Sequence, residues 1–311
     1  MTCLCVSRKF YIALVTIIAL NFVAAGAKAS EMLKPFVLAE SSAKGTLVAL
    51  EATVKNKLVK NGFDVVGQYS PYKDTRILVV SSQQLREHAA MSDYGAYGAI
   101  LRVTLSKTDK GTQISYTHPV YMSHVYRMKT NLLDVYNKLS KVLGNEKIYG
   151  SEEGLSKDDL RNYQYKWLMP YFSDRHELAD YGSQEVALAK VEKVLASGAG
   201  GTSKVYRVDL PGKQESVIGV GLSGPADNDC SGDQYIMSRI DFKPIKSAGH
   251  LPWEVVVSKG RVYALYAEFR IAINFPDLSM MGSNSFASIM CAPPAIKTAL
   301  TKGVGGKEGE E

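Results

Sequence analysis

Four side chains able to hold a metal fall within one short stretch: His118, Met122, His124 and Met128. Imidazole with thioether is a donor set that copper accepts and that haem iron takes as axial ligands. Met280, Met281, Met290 and Cys291 occupy the matching stretch late in the chain, so convergence of the two would make a copper or haem site. The plainer reading is that the methionines fill irregular gaps in a core and the histidines are hydrogen-bonded or at the surface. No recognised metal motif has this spacing.

Tyrosines form a second pattern, at Tyr69 and Tyr72, Tyr94 and Tyr97, Tyr116, Tyr121 and Tyr126, then Tyr163, Tyr165 and Tyr171. A ring with a polar tip suits a ligand groove or a protein interface, and equally the boundary between a sheet and its covering helices. A ligand- or partner-binding set would comprise Tyr116, His118, Tyr121, Tyr126, Phe275 and Met280. It would lie between the 119–128 and 276–290 regions.

Other motifs fall short of their chemistry. Asp227, Asp229, Ser231, Gly232 and Asp233 begin like a calcium loop, but the twelfth position is Ser238 where a bidentate Glu is needed. Gly219, Gly221 and Gly224 have the dinucleotide spacing, yet Pro225 and acidic residues follow where a helix should receive the pyrophosphate. Ser41 and Lys44 have acyl-enzyme spacing without later partner motifs, in a segment expected to be a flexible N-terminus. His176-Glu177 lacks a zincin's second histidine, Asp180 standing in its place. These absences favour a binding protein over an enzyme and leave no cofactor except the copper or haem alternative.

Arg8 and Lys9, an apolar run from Phe10 to Ala25 and the close Ala27-Lys28-Ala29 read as a signal peptide cleaved near Ala29/Ser30, which predicts a periplasmic or secreted protein. No later segment is apolar enough to span a membrane. The formal charge of +6 includes Arg8, Lys9 and Lys28, so about +3 remains after cleavage, without a basic block, and no nucleic-acid partner is expected. Of four cysteines Cys230 and Cys291 survive cleavage. They could form one disulfide in an oxidising compartment or lie as two separately buried thiols.

The elements that must position these residues follow one plan twice. In the first copy, residues 30–145, Leu47, Leu50, Val54 and Leu58 mark a helix ending at Asn61-Gly62. Strands at Phe63–Tyr69 and Arg76–Val80 follow, then a short helix over Gln83–Met91. A hairpin of Ile100–Ser106 and Thr112–Thr117 turns at Thr108–Gly111, and a helix capped by Thr130 closes the unit. The second copy, residues 184–300, repeats this with a helix at Glu185–Ala196 and strands at Lys204–Leu210 and Ser216–Leu222. Its hairpin joins Trp253–Val257 to a long return strand, Arg261–Asn274, and a helix over Ser285–Leu300 ends it. Ser156-Lys157-Asp158-Asp159 begins a helical connector, 146–183, and the tail 301–311 reads as disordered. The fold class is therefore α+β: two tandem related domains, each a mainly antiparallel sheet covered by helices.

Leu251-Pro252-Trp253-Glu254-Val255-Val256-Val257, the turn at Lys259-Gly260 and the run to Asn274-Phe275-Pro276 resemble the domain of unknown function 302, a small bacterial α/β domain. In the first copy the resemblance is carried by Asn61-Gly62-Phe63 and by the hairpin ending at Pro119. It implies a compact α+β sheet domain whose two copies pair as a pseudo-dimer, and it supplies no catalytic residues. The expectation is thus a periplasmic, non-catalytic protein that binds a small ligand or a protein partner between its two copies.

Overall fold

Phe36 to Ala43, ahead of the first helix, form a strand, β1, and not the flexible N-terminus expected there. The computed structural model describes residues 31–224 and 230–307, with Thr2. The signal-peptide reading therefore lies outside the described residues, as do Asp227 and Asp229 of the calcium-like loop.

After β1 the first half continues with α1 (Leu47–Lys60), β2 (Asp64–Tyr69), β3 (Thr75–Ser81), α2 (Gln83–Ala90), β4 (Leu101–Thr108), β5 (Gly111–Thr117), α3 (Pro119–Val125) and α4 (Leu133–Leu143). Thr46 caps α1 by accepting from the Ala49 amide at 3.2 Å. Val54 and Leu58 are its buried stripe, and Gly62, at φ 75°, turns the chain out of it. Two short elements follow, β6 (Lys147–Tyr149) and α5 (Lys157–Arg161). The second half runs β7 (Arg175–Asp180), α6 (Gln184–Ala196), β8 (Thr202–Asp209), β9 (Glu215–Leu222), α7 (Asp233–Ile240), β10 (Trp253–Ser258), β11 (Arg261–Leu265), α8 (Ala267–Asn274) and α9 (Ala292–Val304).

The fold is α+β, with two antiparallel sheets covered by helices. Strand order is β2-β3-β4-β5-β1-β6 in one sheet and β8-β9-β10-β11-β7 in the other. The five shared positions follow the same order, and β6 has no counterpart. Register also corresponds at the outer strands, since β2 slips at Val65/Gly67 against β3 and β8 slips at Lys204/Tyr206 against β9. These irregular edge strands meet where Gly67 approaches the Val205 carbonyl and Tyr206. A Cβ at Gly67 would lie 2.7 Å from that oxygen. Bulged edges of this kind resist further strand addition.

Three expectations are corrected. Residues 146–183 are not a helical connector: α5 is only five residues long, β6 pairs with β1, and β7 pairs with β11 inside the second sheet. Arg261–Asn274 is not one long strand. β11 ends at Leu265 and Ala267–Asn274 is helical: Ala267, Glu268, Arg270 and Ala272 favour a helix, and the segment is buried nearly all round. Pro119 therefore opens a helix, whereas Pro276 follows one. The expected tail is partly helical, since α9 continues to Val304, and residues 308–311 lie outside the described set.

Buried apolar residues of both halves form one contiguous core; Phe36, Leu38 and Tyr149 form a small separate cluster with Ile245 packed on it. Among the described residues no helix is long and apolar enough to cross a membrane.

Candidate functional site

Each half sends the segment after its short helix onto the sheet of the other. From the first half, the Ala96 amide donates to Glu215 Oε1 at the start of β9 (3.0 Å), and Lys213 Nζ donates to the Ser92 carbonyl (2.5 Å). From the second, the Pro244 carbonyl accepts from Gln113 Nε2 and the Lys246 amide donates to Gln113 Oε1, both at 3.0 Å. The Lys246 carbonyl accepts from the Tyr149 hydroxyl at 2.7 Å.

Two buried polar clusters fasten the seam. Asp233 accepts from the Tyr69 hydroxyl of β2 (2.5 Å), from Trp253 Nε1 of β10 (2.9 Å) and from the Leu222 amide (3.1 Å). Burial pushes its carboxyl up to about 7 and the Tyr69 phenol well above its ordinary range. Glu254 of β10 lies between two buried guanidiniums, Arg102 of β4 and Arg270 of α8, whose Nε is 3.0 Å from Glu254 Oε2. Burial, then the neighbouring Arg270 charge, pushes Arg102 down to about 10. Beside them His250 is fully buried between the edges of Trp253 and Phe275, and burial holds its imidazole well below the usual range.

Where the crossing segment 241–247 passes β6, the seam opens into a cavity of about 550 Å³. Its lining includes Tyr149 of β6, with Ile245 packed on the Tyr149 cluster, and Phe275 and Leu278 from beyond α8. Half-exposed Phe242 forms a lip, and Lys34, Lys147 and Lys243 stand at the rim. The buried Asp241 carboxylate accepts from the Ser247 amide with both oxygens (3.0 and 3.1 Å), and burial pushes it up to about 7. A cavity of this size, mainly apolar with a few polar groups at its edge, is the form small-molecule sites take. The β6 part of its lining has no counterpart in the other sheet. A broader groove beside it is lined by Glu153, Asp158, Tyr163, Tyr165 and Tyr171.

The residues singled out from the sequence have other surroundings. Phe275 lines the cavity, and Met280 lies at the edge of the broader groove. Tyr116 is buried on β5 with its hydroxyl 3.0 Å from Ser140 Oγ. Tyr121 donates to the Ile273 carbonyl at 2.8 Å, and the Tyr126 hydroxyl accepts from Arg270 at 3.3 Å. His118 caps α3 through Nδ1, which accepts from the Tyr121 amide (3.3 Å), and it stacks on Tyr136 at 4.5 Å; burial pushes its pKa down to about 4. Met122 and Met128 are buried, whereas Met280, Met281 and Met290 are exposed. His124 is half-buried, with neither ring nitrogen hydrogen-bonded to a described residue, and burial lowers its pKa. Among the described residues no group of three or more His, Cys, Asp or Glu gathers as a metal-ligand set.

Cys230 and Cys291 form a disulfide, Cα–Cα 5.7 Å, tying the start of α7 to the start of α9. The tyrosines of the first 165 residues mostly serve the seam. Tyr69, Tyr121, Tyr149, Tyr163 and Tyr165 all donate to groups of the second half. Compared with protein-family models, with curated proteins and with solved structures, the chain finds no match.

Proposed function

We propose that the chain is an exported binding protein of two like halves, without catalytic apparatus of its own, that holds a small and largely apolar molecule in the cavity beside β6. The cavity carries this reading. There both halves contribute walls to an apolar space large enough for a ligand, and its one buried carboxylate is occupied in a backbone turn. The Cys230–Cys291 disulfide supports export to an oxidising compartment such as the periplasm. The common strand order of the two sheets supports a duplication and the resemblance of each half to the domain of unknown function 302. The test is binding of an apolar fluorescent probe, 1-anilinonaphthalene-8-sulfonate, to the folded chain. Saturable enhancement that is lost when Ile245→Trp fills the cavity supports the reading, and enhancement unchanged by Ile245→Trp counts against it.

His124 favours a second reading, copper or haem association, because neither of its ring nitrogens is hydrogen-bonded to a described residue and it lies in the same segment as Met122 and Met128. Adding copper(I) or haemin and finding no stoichiometric binding, or binding that His124→Ala leaves unchanged, removes it.

A further inference from the structure

The cavity is apolar within and cationic at its rim, and the two features together select a class of ligand. We propose that it takes an anionic amphiphile, a hydrocarbon chain ending in a carboxylate, with the chain against Tyr149 and Phe275 and the head at the lysine-lined mouth. This rests on the cavity being a binding site and adds the charge of what it binds.

The rim decides the sign. Lys34 Nζ is held by the Glu152 carbonyl at 2.6 Å, a neutral acceptor, and makes no ion pair with a described residue. Lys147, on β6, makes no ion pair with a described residue, and Lys243 stands only 3.7 Å from Asp277. Asp277 is already engaged: its carboxylate accepts from Ser151 Oγ (2.9 Å) and from the Glu152 amide (2.7 Å), closing the turn after β6. The Glu152 side chain is the other acid of the rim, so three ammonium groups face two carboxylates. The third acid, Asp241, is buried at the back, spent on the Ser247 amide and held towards its neutral form. A bound head group therefore meets excess positive charge at the mouth and little negative charge behind it.

The interior suits a chain rather than a polar body. Tyr149 is stacked on Phe36 at 5.5 Å and its hydroxyl is occupied by the Lys246 carbonyl, so it presents ring surface to the cavity. Phe275 and Leu278 across from it are nearly buried and offer no donor. A hydrocarbon tail leaves no cavity donor or acceptor unpaired, whereas a sugar or peptide would bring polar groups with few partners.

The experiment is calorimetric titration of the full chain with dodecanoate, dodecanol and dodecyltrimethylammonium, each below its micelle concentration. Wild type is compared with Lys34→Gln/Lys147→Gln and Ile245→Trp, all checked for native circular dichroism. Dodecanoate is expected to bind about ten-fold more tightly than either of the others. The double lysine variant should weaken dodecanoate about five-fold or more while leaving dodecanol unchanged, and Ile245→Trp should weaken whatever binds. Dodecanol or the ammonium binding as tightly as dodecanoate, or dodecanoate affinity unaffected by the lysine changes, overturns the anion assignment while the cavity reading stands. No binding by any of the three overturns both.

Discussion

Arg102, on a strand of the first half, is ion-paired with Glu254, on a strand of the second, and both are buried. The other Glu254 oxygen lies 3.0 Å from Arg270 Nε, so one carboxylate serves two guanidiniums in the core of the seam. Desolvating such charges is costly, and the attraction offsets it only while every partner is present. Glu254→Ala should therefore cost about 3–5 kcal/mol of folding stability by urea denaturation, since it strands two buried cations. A loss below about 1 kcal/mol would mean that the carboxylate does not hold the seam.

Gly67 offers a steric test of the same seam. A Cβ there would lie 2.7 Å from the Val205 carbonyl oxygen and 2.9 Å from Tyr206 Cβ, both on β8. Gly67→Ala should push the two edge strands apart and cost about 1–3 kcal/mol. Unchanged stability would show that the edges do not approach so closely.

Two groups give pH dependence of opposite sign. Burial raises Asp241 from 3.8 to about 7, so between those values the folded chain holds a proton that the unfolded chain has lost. Stability from this group falls as pH rises from about 4 to 7. The wild-type stability minus that of Asp241→Asn, from urea midpoints at each pH, should decline over that range. Burial lowers His118 from 6.5 to about 4, so its contribution is complete above the upper value and lost as pH falls towards the lower. The difference between wild type and His118→Asn should therefore grow with rising pH. A flat difference for either variant would remove the corresponding assignment.

The disulfide closes a loop whose ends are 61 residues apart. By chain entropy it contributes about 4 kcal/mol, so Cys230→Ser/Cys291→Ser should lower the melting temperature by about 10 °C. A shift under about 2 °C would mean that the unfolded chain gains little freedom without it.

Much of the framework was legible because turn chemistry and caps are local signals. The hairpin turning after Thr108 and the helices begun by Thr46 and Ser183 lie within a residue or two of their expected positions. What was not legible depends on the other half. In β4, Arg102, Thr104 and Ser106 alternate with apolar neighbours as a solvent-facing row would, yet all three are buried, because the second half covers that face. β1 was missed because it is irregular, slipping twice against β5, and its pairing partners lie far along the chain. The cavity was the least legible of all. Phe275 was singled out, but Tyr149, Phe242 and Ile245 carry no periodic signal; they meet only because β6 adds to the sheet edge and the crossing segment passes over it.

Native mass spectrometry of the chain purified without detergent, wild type beside Ile245→Trp, tests the cavity most directly. The account predicts a small-molecule adduct on the wild type, released on activation as an anion, and its absence from Ile245→Trp. An adduct equally retained by both proteins, or none on the wild type even after incubation with dodecanoate, would contradict it.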